Sequence, residues 1–385
     1  MDRSSILRAS TIFVHYLLSG GNQSQSQAIA VIDNLEGKMP PEYKSIKRMR
    51  NLEERARVVE KLLILRAQLD EEIPKKTATD TLLLATWNIR EFGNNKSDES
   101  LQYLAEIISR FDLVAIQEVA RELDGLKKLV SMLGHNWDYI VTDSTEGTAG
   151  GGERMAFVFD KCKVFFDKMA GELVLPYTKL IESGDKKLQF ARTPFSVAFG
   201  ANWFQFVLTT VHILYGSSKK EDPQRVKEIA ALAEFLKERA KKENANYILL
   251  GDFNIFKTSD ATMKALEKGG FYIPQAIRQH PSDLGRTKHY DQIAFKLRLD
   301  DNMPVFTEGN QRAGAFDFSK SVYRPEDLDL YRGYFDKKNV EGKTEAEIKE
   351  YYLTYYRTFQ MSDHLPLWIE LKIDFSTEFL KKIIN

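Results

Sequence analysis

The sequence predicts an α/β fold whose sheets are covered by helices, and three observations carry that prediction. From Thr81 onward, short apolar runs alternate with polar connections, as strands do. Several of these runs are separated by segments with helical periodicity, while others follow closely enough to be hairpins. Hydrophobic residues make up 43% of the 385, with 24 Phe, which is enough for a substantial core and argues against wholesale disorder.

The first eighty residues differ from the remainder. MDRSSILRASTIFVHYLLSGG has arginines and a short apolar stretch, the outline of an export signal. His15 interrupts it and no small-residue cleavage site follows, so a cytoplasmic location is expected, with export as the alternative. After the polar GGNQSQSQ, residues 42–72 are rich in Arg, Glu, Leu and Lys. Met49, Leu52, Ala56, Val59 and Leu63 recur at three- and four-residue steps, which predicts an amphipathic helix. Its apolar stripe is expected to rest on the main domain, with a helix-mediated homodimer as the alternative; the heptad is too short for a coiled coil. IPKKTATD then leads into the main domain. The expected division is an extension over 1–80, a main domain over 81–375 and a tail over 376–385.

TLLLATWNI, DLVAIQEV, RMAFVFD, FQFVLTTVHIL, NYILLGDFN, YDQIAFKL and LPLWIELKI read as strands, and helices are expected near 97–109, 124–132 and 223–242. Residues 300–357 break the series with mixed Phe, Tyr and charged residues and a helix near 344–356. This segment is expected to be an elaboration over an edge or mouth of the core. Its aromatic residues are expected to form its own core, with stacking on nucleic-acid bases as the alternative.

Charge and cysteine usage narrow the possible functions. The 55 basic and 55 acidic residues cancel, which excludes a polybasic coat but not a local basic groove. Cys162 is the single cysteine, so there is no intramolecular disulfide and no multi-cysteine metal site. No apolar run reaches membrane-spanning length.

The strands repeatedly end in polar residues. Asn88, Glu118, Asp252, Asn254 and Asp291 stand at such ends, His212 lies late in its run, and Asp363 and His364 precede the last one. Taken singly these are turn formers or solvent boundaries. Together they are carboxylates, amides and imidazoles at strand ends, where loops aim side chains from a rigid scaffold. Their oxygens suit Mg²⁺ or Mn²⁺ and not soft metals. Other signatures are missing. GTAGGGER lacks the Lys-Ser/Thr of a P-loop and opens no dinucleotide unit, and neither H-E-x-x-H nor G-x-S-x-G occurs.

Read in order, TWNIREF, IQEV, ERMAFVF, TTVHI, GDFN, YDQIAF and MSDHLPL resemble the endonuclease/exonuclease/phosphatase superfamily, and its deoxyribonuclease I-like branch most of all. The resemblance spans about 81–373, apart from the segment before Arg357. It implies a four-layer α/β sandwich of two mixed sheets with helices outside, and metal-dependent phosphoester hydrolysis. By the same resemblance, Asn88, Glu118 and Asp363 match residues near the metal, which is expected to be Mg²⁺ or Mn²⁺. Asp252 and Asn254 match the pair near the nucleophile and the attacked phosphate. His212 matches a catalytic histidine held by the acid at Glu153, and His364 a second one oriented by Asp291. Arg192, in FARTPF, resembles a phosphate-contacting arginine. Which histidine is the acid, and whether one metal or two are used, stays open at this point.

DNA is the expected substrate. Hydrolysis of a small nucleotide, inositol or lipid phosphoester is the alternative, and a non-catalytic binding module on the same fold is a third reading. The Trp-Cys-Asp-Arg signature of inositol-polyphosphate 5-phosphatases is replaced here by KHYDQI, and the characteristic substrate-side elements of apurinic-site endonucleases are not evident. The sequence departs from the nuclease branch where GTAGGG replaces an aromatic residue that lies along DNA. Lys186, Lys187, Lys219 and Lys220 are the candidates for local attraction to phosphates.

Overall fold

The computed structural model describes residues 43–144, 152–217, 219, 221–298, 305–306 and 311–384. The start segment, GGNQSQSQ, most of GTAGGG and Lys220 lie outside the described residues. Each expected strand forms, and others join them. In chain order they are β1 (Thr81–Phe92), β2 (Leu113–Val119), β3 (Trp137–Val141), β4 (Arg154–Asp160), β5 (Phe165–Glu172), β6 (Ile181–Ser183), β7 (Lys186–Leu188), β8 (Phe195–Ala201), β9 (Phe204–His212), β10 (Tyr247–Asp252), β11 (Asp291–Lys296), β12 (Ala313–Ala315) and β13 (Leu367–Lys372). The longer helices are α1 (Leu52–Glu72), α2 (Asp98–Ile108), α3 (Asp124–Leu133), α4 (Pro223–Glu243), α5 (Ala261–Lys268), α6 (Glu345–Tyr351) and α7 (Ser376–Ile384). None among the described residues is long and apolar enough to cross a membrane.

Two mixed sheets form, ordered β12-β13-β1-β2-β4-β3 and β11-β10-β9-β8-β5, with β6 and β7 as a separate hairpin. Each is built around a parallel pair, β1 with β2 and β9 with β10, flanked on both sides by antiparallel strands. This shared plan leaves no trace as a sequence repeat.

Period-two alternation explains the layering. Leu82 and Leu84 of β1 and Leu113 and Ala115 of β2 join Val197, Phe199 and Leu208 in the core that includes the sheet-to-sheet interface. Phe157 stacks on Phe195 at 5.6 Å and meets Phe199 edge-on at 5.5 Å across that interface. The intervening Leu83, Ala85 and Trp87 enter a second core with Val114 and Ile116 and with α1, α2 and α3. Ile229, Leu232 and Leu236 of α4 cover the second sheet. The result is the four-layer sandwich expected from the sequence.

The N-terminal helix differs from its expected form. A short turn, Lys44–Arg48, ends before Asn51 caps α1 by accepting from the Glu53 and Glu54 amides. The buried face is Val58, Leu62, Leu65 and Leu69. The expected stripe is the solvent side, where Leu52 and Leu63 are 65% and 62% exposed. Both rows satisfy helical spacing, and tertiary partners choose between them. Lys61 Nζ lies 2.7 Å from Asp327 in a buried pair, and Arg57 lies 2.7 Å from Glu99. The elaboration closes the same layer: β12 extends the first sheet, while Phe316, Phe318, Tyr323, Tyr331 and Phe335 are buried in the outer core. Past α6 the helix widens into a π-helical stretch, Tyr352–Tyr356, then a final turn, Arg357–Gln360, delivers the chain to Asp363 and His364.

Candidate active site

Both parallel pairs end at one place between the sheets. The last polar layer beneath it is a bridge in which Gln117 Nε2 donates to Thr86 Oγ1 (3.1 Å) and to Thr210 Oγ1 of the opposite sheet (2.8 Å). The next inward positions on β1, β9 and β10 are Asn88, His212 and Asp252.

Glu118 reaches this centre only because the backbone breaks alternation. Regular pleating would place it outward with Val114 and Ile116. Its φ is instead +58°, and the pairing of β2 shifts register on both sides. Left-handed backbone at a bulge re-aims the side chain. Asn88 Nδ2 then donates to Glu118 Oε1 at 3.0 Å, and the Glu91 amide to Oε2 at 2.9 Å. Glu91 and Asn254 are also left-handed, at +46° and +53°. Such residues cost about 1–3 kcal/mol each and persist where neighbours hold them. The glycine of GDFN has a steric reason: a Cβ on Gly251 would sit 2.2 Å from the Val211 carbonyl of the adjacent strand.

Asp252 is the hub. Oδ1 accepts from the Asn254 amide at 2.8 Å, and Oδ2 from Asn88 Nδ2 at 3.0 Å. The same Oδ2 faces His212 Nε2 at 3.6 Å and His364 Nε2 at 3.8 Å. Asn254 Nδ2 donates to the Ile213 carbonyl at 2.9 Å, so its amide is spent on the backbone.

The two histidines sit in unlike surroundings. His364 Nδ1 and Asp291 Oδ2 are 2.8 Å apart. The His364 amide donates to Ser362 Oγ, whose hydroxyl donates to the Asn88 carbonyl at 2.6 Å, fixing the SDH turn to β1. Burial opposes charge on His364, but Asp291 and Asp252 outweigh it and raise its pKa well above the ordinary value. Burial also raises Asp291, and the proton the pair shares belongs on the imidazole, which faces two carboxylates. His212 is different: Nδ1 is 3.3 Å from Glu153 Oε2, while the other Glu153 oxygen pairs with Arg192. Burial lowers the His212 pKa, and Asp252 does not offset it against Arg192. Arg192, paired with the second Glu153 oxygen, is among the groups that disfavour charge on His212. Glu118 is held below the usual carboxylate range, since His212, the Glu91 amide and Asn88 outweigh the effect of burial.

The structure thus brings Asn88, Glu118, Glu153, Arg192, His212, Asp252, Asn254, Asp291 and His364 together. Asp363 is exposed and belongs to neither cluster of carboxylates and imidazoles, that of Glu118, Glu153 and His212 or that of Asp252, Asp291 and His364. Lys186 and Lys187 lie on the exposed strand β7, and Lys219 lends its carbonyl to Arg225.

Three residues escaped the sequence reading. Fully buried Arg225 donates to the carbonyls of Asn254 (2.5 Å), Tyr215 (2.7 Å) and Ser217 (3.0 Å), tying the loops after β9 and β10 together. Glu228 accepts from the Ala191 amide at 3.3 Å, and burial raises its carboxyl to about 7. Both stand on the apolar face of α4 with Ile229 and Leu232, the signal that could have exposed them. Buried Lys96 donates to the carbonyls of Arg90 (2.6 Å), Met361 (3.3 Å) and Phe359, fastening the chain after β1 to the approach to His364.

The donor set fits a hard divalent cation. Asn88 Nδ2 is fixed toward two carboxylates, so Oδ1 faces away from them, buried and without a hydrogen-bond partner. That oxygen and the ionised Glu118 carboxylate are the ligand types Mg²⁺ and Mn²⁺ prefer. Asp252, Asp291 and His364 also lie close enough together to hold an ion, but the 2.8 Å hydrogen bond organises that group around a proton.

A two-sheet α/β sandwich with paired acids and histidines at the ends of its parallel strands defines a class of phosphoester hydrolases. The chain belongs to the endonuclease/exonuclease/phosphatase family, whose model matches residues 85–301. No curated protein matches it in sequence. Similar solved structures include a family member from Bacteroides thetaiotaomicron, at 19% identity and TM-score 0.49 over 76% of this chain and 95% of that one. A mannosyl-6-phosphatase from the same organism has 18% identity and TM-score 0.47, over 75% and 99%. The catalytic domain of human Nocturnin with bound sulfate has 14% identity and TM-score 0.46, over 76% and 94%.

Proposed function

We propose that the protein is a divalent-metal-dependent phosphodiester hydrolase acting on DNA. The observation that carries this reading is Asp252, anchored by two amide donors, with both imidazoles directed at one of its oxygens. Asn88 and Glu118 would hold Mg²⁺ or Mn²⁺, with exposed Asp363 as a further ligand from the solvent side. When bound, the cation polarises a phosphoryl oxygen and stabilises negative charge on the leaving oxygen.

The protein's own groups account for the protons. Asp252 orients a water molecule, and Asp252 with neutral His212 receives its proton as the new P–O bond forms. Asn254 keeps Asp252 in place through its amide N–H. His364, charged and backed by Asp291, gives a proton to the oxygen released when the old P–O bond breaks. Arg192 meets a phosphate oxygen, and Glu153 aims both Arg192 and His212.

A second reading has its own support. Beside Glu118 lies a recess of about 620 Å³ that includes Asn94, Asn95, Arg121 and Arg192, a size suited to a small phosphoester. A panel of plasmid, linear and single-stranded DNA, RNA, a bis-aryl phosphodiester and sugar or inositol phosphates, each with Mg²⁺, Mn²⁺ or EDTA, separates the two. Plasmid nicking abolished by EDTA and by His364→Ala is expected. Turnover of small phosphoesters alone would replace the DNA reading.

A further inference from the structure

The aromatic residues of the elaboration divide into two sets. Phe316, Phe318, Tyr323, Tyr331 and Phe335 are buried and form its core. Tyr334 and Tyr355 are 49% and 43% exposed, although Arg57 lies 5.0 Å over the Tyr334 ring, which also meets the buried Tyr331. Tyr355 is the middle member of a row along the widened helix. Its ring is nearly parallel to Tyr351 (5.6 Å, 22°) and to Phe359 (5.7 Å, 10°). The rings of the row partly cover one another and Lys96 Nζ lies 5.4 Å over Phe359, so Tyr355 keeps the largest exposed surface of the row. The row and Tyr334 line a groove of about 550 Å³.

Arg90, two residues beyond Asn88 on the strand that carries it, touches this row. The Arg90 guanidinium lies 5.1 Å from the Tyr355 ring centroid, and Nη1 donates to Thr358 Oγ1 at 2.6 Å. The next residue, Glu91, holds Glu118 through its amide. A π-helical widening inside an α-helix is a feature that recurs at functional sites. Here it spans Tyr352–Tyr356 and so includes Tyr355.

We propose that the Tyr334–Tyr351–Tyr355–Phe359 groove is a stacking platform for nucleobases of a single-stranded stretch of the substrate, with Arg90 at the junction between platform and scissile phosphate. The proposal rests on the phosphodiester reading of the site and extends it. A flat aromatic face accepts any base, so the platform confers preference for unpaired nucleic acid without sequence choice. Acidic Asp336 offsets Lys338 in the groove, so stacking and not charge supplies most of its contribution.

The test is anisotropy of a labelled oligothymidylate, and of an abasic oligonucleotide of equal length, in EDTA so that nothing is cleaved. Bis(p-nitrophenyl) phosphate turnover with Mg²⁺ is measured on the same preparations. Wild type binds oligothymidylate more tightly than the abasic strand. Tyr355→Ala weakens oligothymidylate binding roughly 5- to 100-fold, leaves the abasic strand unaffected and leaves bis-aryl turnover unchanged. Tyr355→Phe keeps the ring and binds as wild type. Equal binding of the two strands, unaltered binding by Tyr355→Ala, or equal losses in the Ala and Phe variants would overturn the platform. Absence of bis-aryl turnover in wild type with every divalent cation would instead remove the hydrolase reading, leaving the binding result to stand by itself.

Discussion

Glu228→Gln probes the carboxyl buried beside Arg192 and His212. Glu228 is 1% exposed and has one hydrogen bond, from the Ala191 amide, beside Arg192. Burial raises its pKa from 4.5 to about 7, against the pull of that amide, Arg192 and His212. A carboxyl raised on folding binds its proton more tightly in the native state. Its contribution to stability is therefore complete below pH 4.5 and is lost as pH rises through about 7. At about 1.4 kcal/mol per pH unit, the gap amounts to about 3 kcal/mol. Gln keeps the acceptor for Ala191 and cannot ionise. Urea denaturation of both proteins from pH 4.5 to 8 should show Glu228→Gln gaining about 3 kcal/mol on wild type across that range, with the change centred between 5 and 7. Parallel profiles, or a variant that loses ground as pH rises, would show that Glu228 is held as a carboxylate by Arg192 and not raised by burial.

Other outcomes follow from the same geometry. Glu118→Gln should weaken Mg²⁺ binding by about tenfold or more, read by calorimetry, while the fold stays intact by circular dichroism. Gly251→Ala forces a Cβ to within 2.2 Å of the Val211 carbonyl, and thermal unfolding should show a loss above about 3 kcal/mol. Leu65→Ala, at a fully buried position of α1, should cost about 2–5 kcal/mol, whereas exposed Leu63→Ala should be nearly neutral. Equal effects at the two positions would return α1 to the face expected from its spacing.

The strands were legible as short apolar runs, continuous from Leu82 to Ala85 and alternating at Leu367, Ile369 and Leu371, and the polar residues ending them stood out against that pattern. The path of Glu118 was not legible: its left-handed backbone and register shift belong to the folded chain, and alternation alone points the side chain outward. On α1 two apolar rows satisfied helical spacing, and only partners far along the chain, Glu99 and Asp327, decide between them. Arg225, Glu228 and Lys96 read as ordinary surface charges because burial of an ionisable group is set by what folds over it. Phe195, Val197, Phe199 and Ala201 of β8 alternate toward the core as clearly as the expected strands, so β8 too was legible.

In the proposed function Asp252 organises metal-dependent phosphodiester cleavage with His212 and His364 on either side. The rate of plasmid nicking by Asp252→Asn, at saturating Mg²⁺ and beside wild type of equal thermal stability, tests it most directly. A fall of at least ~10²-fold is expected, to the level left by EDTA. Wild-type nicking by a correctly folded Asp252→Asn protein would contradict it.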